Sequence, residues 1–172
     1  MKYTRFAVAL LVFATITCSA QNSATKQLAR AIARQEGFFT PGTIPNRNCN
    51  PGDLKVREGQ HYLGQTGTDK FRHAIFPHRN GCAAGWAALY QQIDKIADRT
   101  SKIYTPEMTI QQVGRKYAAS WQIWSKNVAR NLNVSPRTTL ATLLDVPPLV
   151  NPHPAKMILA AYAVAMPTLE EQ

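Results

Sequence analysis

The chain has 172 residues, 45% of them hydrophobic, with 20 Lys and Arg against 10 Asp and Glu for a formal charge of +10. A chain of this length fits one domain with a proper core. Its basic residues are scattered, with no Lys/Arg block longer than two, which excludes a sequence-reading nucleic-acid code and suits a diffuse attraction to an anionic polymer.

The first twenty residues read as an export signal. Lys2 and Arg5 form the positive start, and Phe6 to Ile16 is uncharged and mostly apolar. That run is shorter than the roughly 20 residues a membrane-spanning helix needs. Cys18 and Ala20 stand at −3 and −1 of a cleavage after Ala20. Thr17 precedes Cys18 where a lipid-attachment motif takes Gly, Ala or Ser, so lipidation is the less favoured alternative. No later stretch is long and apolar enough for a transmembrane helix. The mature chain is expected to be periplasmic or extracellular, soluble and monomeric. Loss of Lys2 and Arg5 takes its formal charge from +10 to +8.

Cleavage leaves two cysteines, Cys49 and Cys82, in a compartment that permits disulfides. A bridge would close a loop of about 34 residues and stabilise the fold by roughly 3 to 4 kcal/mol in the chain-entropy model. Two buried free thiols are the alternative. His61, His73, His78 and His153 show no regular ligand spacing with either cysteine, so neither a metal site nor a cofactor is expected.

Ser23 caps a first helix running to Gln35 or Glu36, with Leu28 and Ile32 on one stripe, and Gly37 ends it. Phe39 to Gly81 is rich in Gly, Pro and Asn and has no helical period. Asp53–Arg57 and Phe71–Phe76 read there as short strands of a hairpin. Ala83–Asp98 is an amphipathic helix carrying Trp86, Leu89, Tyr90, Ile93 and Ile96. Thr109 to Gln112 forms a capping box for a helix reaching Tyr117 or Ala118. Ser120 or Trp121 opens another, with Trp121, Trp124, Val128 and Leu132 on its buried face. Ser135-Pro136 starts a short helix holding Leu140, Leu143 and Leu144, which Asp145 to Pro148 stops. An apolar helix from about Pro154 to Ala165 closes the chain. The organisation is a signal over 1–20, one domain over 21–150, and a C-terminal helix within 151–172 packed on that domain.

Several of these segments, in this order, resemble the lysozyme-like superfamily, in particular bacterial and phage proteins related to lytic transglycosylases. The segments are Gln35-Glu36-Gly37, Arg47 to Leu54, Phe71 to Phe76, Gly85-Trp86-Ala87-Ala88-Leu89, Tyr117-Ala118-Ala119 and Asn127. They match a helix ending in Gln-Glu-Gly, an Arg-Asn-Asn-Asn-Pro-Gly-Asn-Leu turn, a Phe-x-x-Phe strand, a Gly-Trp helix and a Tyr-Ala-Pro segment. Order and spacing over Leu28–Leu144 carry the likeness. Cys49 replaces the middle asparagine, Asp53 stands where asparagine is common, and Ala119 replaces the proline.

The resemblance implies a mostly α, α+β lysozyme-like fold: a helical bundle with a small β-hairpin lobe flanking a cleft. It implies cleavage of the β-1,4 bond between MurNAc and GlcNAc in peptidoglycan glycan strands, with Glu36 as the catalytic acid. Such an acid works near neutral pH only where an apolar, partly dry cleft raises its pKa. Phe38, Phe39 and Tyr117 are candidates to line it. Asn48, Asn50, Gln65 and Tyr117 are the candidate substrate contacts. Among the acidic residues only Asp53, Glu58 and Asp69 fall in the loop region that could face Glu36, and none lies in a catalytic motif. One glutamate acting as acid and then base is the pattern of lytic transglycosylases, in which the muramyl 6-hydroxyl attacks and leaves a 1,6-anhydro end. A muramidase delivering water is the other outcome.

Plainer readings stand beside these. Asn50, Pro51 and Gly52 also read as a tight turn, Tyr117 as the edge of the core, and Trp121 and Trp124 as core residues at helical spacing. As a whole the chain could be a catalytically silent wall-glycan binder, or a basic secreted helical protein acting on a membrane or a partner protein.

Overall fold

The computed structural model describes residues 23–149. The expected signal segment and C-terminal helix lie outside these residues. The described chain is roughly half helical with one small two-stranded antiparallel sheet, consistent with the mostly α, α+β expectation. No helix among the described residues is long and apolar enough to cross a membrane.

Helix α1 (23–35) buries Leu28, Ile32, Ala29 and Ala33, the stripe its spacing calls for. Gly37 ends it at φ 79°. The amide of Phe38 donates to the Ala33 carbonyl at 2.9 Å and that of Gly37 to Arg34 at 3.2 Å. This is the Schellman arrangement, which satisfies the carbonyls that the last turn leaves open. Glu36 is thereby the C-cap residue, held where the chain leaves the helix.

A short helix α2 (Ile44–Arg47) follows, inside a segment that shows no helical period in sequence. Thr43 caps it, and Pro45 in its first turn costs no hydrogen bond. The Thr43 hydroxyl also donates to the Gly37 carbonyl at 2.8 Å, and Asn46 Nδ2 donates to the Phe38 carbonyl at 2.9 Å. Both fasten α2 against the end of α1.

The expected strand over Asp53–Arg57 does not form. Only an isolated bridge joins Lys55 to His73, because Asp53 is left-handed at φ 46° and breaks the pleat at its start. The second expected strand shrinks to β2 (Ala74–Ile75), which pairs with β1 (Gly67–Thr68) in the register Gly67↔Ile75 and Thr68↔Ala74. Asn50 then takes up carbonyls at this junction. Its Nδ2 donates to Leu54 and Ala74 carbonyls at 3.0 Å each, and its Oδ1 accepts from the Leu54 amide at 2.9 Å.

Helix α3 (Ala83–Ala97) buries Leu89, Ile93 and Ile96 against α1 and the turn. Gly85 is what lets it approach. A Cβ there would run into the Cys49 carbonyl and lie 2.9 Å from Pro51 Cδ. Helix α4 (Ile110–Tyr117) starts at the predicted capping box, with Thr109 and Gln112 exchanging bonds. Helix α5 (Trp121–Leu132) crosses it where Gly114 meets Ser125 and Trp124.

Helix α6 (Leu140–Leu144) begins four residues later than Ser135-Pro136 suggests. Ser135 Oγ accepts from the Arg137 amide at 3.2 Å and closes a turn, while Thr139 is the true cap, accepting from the Thr142 amide at 3.2 Å. The chain between them is occupied elsewhere: Thr138 and Pro136 carbonyls accept from Ile110 and Gln111, each at 3.0 Å.

Candidate active site

The end of α1, the Asn48–Asp53 turn, the loop before β2 and the α4–α5 pair converge on Glu36. Trp124, on the buried face of α5 and 3% exposed, donates its indole Nε1–H to Glu36 Oε1 at 2.5 Å. The Tyr117 ring packs against Trp124 with centroids 5.1 Å apart, and its hydroxyl donates to the Gly52 carbonyl. Tyr117 therefore links α4 to the Asn-Pro-Gly turn and closes one wall around the acid.

This environment raises the Glu36 pKa from 4.5 to about 7. Burial is the main cause. The negative charge of Asp53 adds to it, while the Trp124 hydrogen bond and the charge of His73 pull the other way. A carboxyl group balanced near 7 can give up a proton and recover it at neutral pH. Burial, with the Glu36 charge second, also pushes the Tyr117 phenol well above its usual range, so it remains a hydrogen-bond donor.

Beside Glu36 lies a polar chain that no sequence motif announced. His73, 6% exposed, sets Nε2 3.4 Å from Asp53 Oδ2 and Nδ1 2.9 Å from Asp69 Oδ2. Asp69 Oδ1 takes the amides of Phe71 at 2.9 Å and His73 at 2.8 Å, so the carboxylate organises the turn leading into β2. Asn48 Nδ2 donates to Asp69 Oδ2 at 3.0 Å. Burial pushes the Asp69 pKa up, but the hydrogen bonds from His73, Asn48 and Phe71 outweigh it and bring the value down to about 2. Asp53 is shifted upward, chiefly by burial and against the charges of His73 and Lys55. Its Oδ1 is buried and has no hydrogen-bond partner among the described residues.

The candidate contacts from the sequence divide. Glu36 and Tyr117 come together, and Asn48 joins through Asp69. Asn50 does not present its amide to a ligand. It is fully buried, and its amide is committed to the backbone of Leu54 and Ala74, so the tight-turn reading is the right one. Gln65 is bound within its own loop, accepting from the Tyr62 amide at 3.0 Å and donating to the Gly67 carbonyl at 3.0 Å. Phe38 packs on Trp86 of α3, 5.3 Å between centroids, and on Phe39. The ring bonded to Glu36 is Trp124, which the periodicity placed in the core.

Cys49 and Cys82 are disulfide-bonded, with Cα atoms 5.2 Å apart, and tie the turn to the start of α3. The His78 ring lies with both sulfurs inside a 4.8 Å cluster. Sulfurs bonded to each other offer no thiolate to a metal, and His78 Nε2 is 2.8 Å from the Arg47 carbonyl. No family model matches the chain, and comparison with curated proteins and with solved structures finds no match.

Proposed function

We propose that the protein is an exported lysozyme-like glycosidase that cleaves the β-1,4 MurNAc–GlcNAc bond of peptidoglycan, with Glu36 as the acid. The observation that carries this reading is the placement of Glu36. It is a C-cap carboxyl, half-buried under Trp124 and brought to a pKa of about 7, which is what protonating a glycosidic oxygen at neutral pH requires. Tyr117 and Trp124 supply the apolar wall. The polar groups of Asn48, Asp53 and His73 gather beside the acid, where a sugar ring presents its hydroxyl and N-acetyl groups. The basic surface suits adsorption to an anionic wall outside the membrane, the compartment to which the signal-like first twenty residues point.

Zymography in a murein-containing gel tests the proposal. Wild-type protein clears the gel at neutral pH and Glu36→Gln, which keeps the shape and removes the proton, does not. Equal clearing by both overturns the role of Glu36, and binding to insoluble peptidoglycan without clearing points to a silent wall binder.

A further inference from the structure

Between α4, α5 and the turn before α6 lies an open groove of about 260 Å³ that the cleavage chemistry does not use. Backbone bonds fix its walls. The Gln111 amide donates to the Pro136 carbonyl and the Ile110 amide to that of Thr138, each at 3.0 Å, which fastens the turn to the start of α4. On α5, Trp121 and Ser125 stand one turn apart and both line the groove. The Ser125 hydroxyl donates to the Trp121 carbonyl at 2.6 Å, so its proton is spent within the helix. Trp124 carries its indole N–H to Glu36, whereas Trp121, three residues earlier, is half-buried in the groove. Periodicity put both rings in the core, and of the two only Trp124 is there.

The chemistry of the lining names its ligand. Trp121 and Pro136 give apolar surface. Lys126 and Arg137, both exposed, add two cations, and the Arg115 guanidinium lies over the Trp121 ring, 4.6 Å from its centroid. No Asp or Glu lines the groove, and neither α4 nor α5 contains one. Apolar surface beside unopposed cations complements a ligand that carries small apolar groups beside negative charge. The volume falls below the roughly 300 to 1,000 Å³ of pockets that enclose a whole drug-sized molecule, so the groove seats a short stretch of a longer chain. An extended peptide of small residues with free carboxylates has these properties. A bare phosphate would make no use of Trp121 and Pro136, and a neutral sugar none of the cations.

We propose that this groove is a second binding site, which seats the peptide stem of the wall on Trp121 and Pro136 and meets its free carboxylates with Lys126 and Arg137. The groove stands on its own geometry, and naming the wall as the source rests on the Glu36 reading above. The wall is then gripped by its peptide at a place separate from the glycosidic cut.

The test is titration of the chain lacking residues 1–20 with the stem peptide released from purified murein by an amidase, at roughly 0.15 M salt. Calorimetry gives the affinity and the indole N–H resonances give the place. Saturable binding that shifts the Trp121 resonance is expected. Lys126→Glu with Arg137→Glu, two changes at exposed positions, should weaken it about tenfold or more. Lys116→Glu with Arg130→Glu alters the net charge equally on α4 and α5 but outside the groove, and should leave the affinity within about twofold. Circular dichroism confirms that both double variants fold. Equal weakening by the two pairs overturns the site in favour of diffuse attraction. A Trp121 resonance that does not move at saturation also overturns it, as does inorganic phosphate that displaces the peptide at equal concentration. A polyglutamate peptide bound more tightly than the stem overturns the wall as the source and points to an acidic protein segment. Stem peptide bound at Trp121 by a protein that clears no murein leaves the groove standing and overturns the Glu36 reading. Clearing without peptide binding does the reverse.

Discussion

The indole Nε1 of Trp124 lies 2.5 Å from Oε1 of Glu36 across a separation of 88 residues. The bond joins the end of α1 to the first turn of α5 and opposes the effect of burial on the acid. Trp124→Phe keeps an aromatic ring but removes the donor. It should raise the Glu36 pKa above about 7, extend activity to higher pH and destabilise the fold by about 1 to 3 kcal/mol through the lost bond and the space left in the core. A pH–rate profile with a denaturant titration checks both. An unmoved alkaline limb would show that this hydrogen bond does not tune the acid.

Glu36 is also a stability switch whose sign follows from its raised pKa. The folded state holds the proton up to about 7, whereas an exposed carboxyl releases it near 4.5. Stability is therefore fully present below the lower value and declines as pH rises through the upper one. Glu36→Gln removes this titration. The variant should match the wild type near pH 4 and exceed it at pH 8 by a margin on the order of 1 to 3 kcal/mol, while being inactive throughout. Paired urea melts at the two pH values measure the difference. A constant gap between the proteins would mean that Glu36 is not buried in solution.

Much of the scaffold was legible because it obeys local rules. The Leu28–Ile32 stripe, the glycine stop after Glu36, the capping box at Thr109 and the amphipathic α3 all follow from spacing and terminus chemistry. The Cys49–Cys82 bond is the first of the two outcomes that the sequence allows, a bridge or two buried thiols. What escaped depends on partners distant in sequence. Periodicity correctly put Trp124 in the core but could not show that its N–H meets Glu36. His73 and Asp69 are near neighbours in an irregular loop, and only the turn that Asp69 organises, with the Lys55↔His73 bridge, brings the ring to Asp53. Asn50 is the opposite case: its sequence context suits both a substrate contact and a tight turn, and only the fold shows its amide spent on the Leu54 and Ala74 backbone.

Gly85 supports the site without touching it. Gly85→Ala places a methyl group against the Cys49 carbonyl and Pro51, so α3 or the turn must shift. Overpacking of this kind costs about 1 to 3 kcal/mol, and the displacement reaches Asp53 through Asn50 and Gly52. Activity should fall more than stability alone explains, which thermal melts and murein turnover measured on the same preparation separate. Retained activity with a lower melting temperature would place the Asp53 turn outside the working site.

The Cys49–Cys82 bond acts on the same turn from the other side. Reduction under mild denaturation, followed by alkylation, should release two thiols from the chain lacking residues 1–20, where its untreated form gives none. By the chain-entropy argument the reduced protein loses roughly 3 to 4 kcal/mol, a fall in melting temperature on the order of 10 °C for a domain of this size. Two thiols found before reduction would refute the pairing.

The surface charge and the site chemistry should respond differently to salt. α4 and α5 carry the exposed cations Arg115, Lys116, Lys126 and Arg130 and no acidic residue, whereas Glu36, Asp53 and Asp69 gather at the site. Attraction of those cations to an anionic wall crosses water and is screened over about 10 Å at 0.1 M salt. The Trp124–Glu36 and His73–Asp69 contacts are short and partly buried, and are screened far less. Raising ionic strength should therefore weaken adsorption to intact walls while turnover on a short, soluble, uncharged glycan stays nearly constant. Sedimentation with insoluble murein measures the first quantity and product release from the soluble glycan the second. If the two fall in parallel, the cations act at the cleavage site itself, and Arg34 or Arg47, which flank the acid and its turn in sequence, become the residues to replace first.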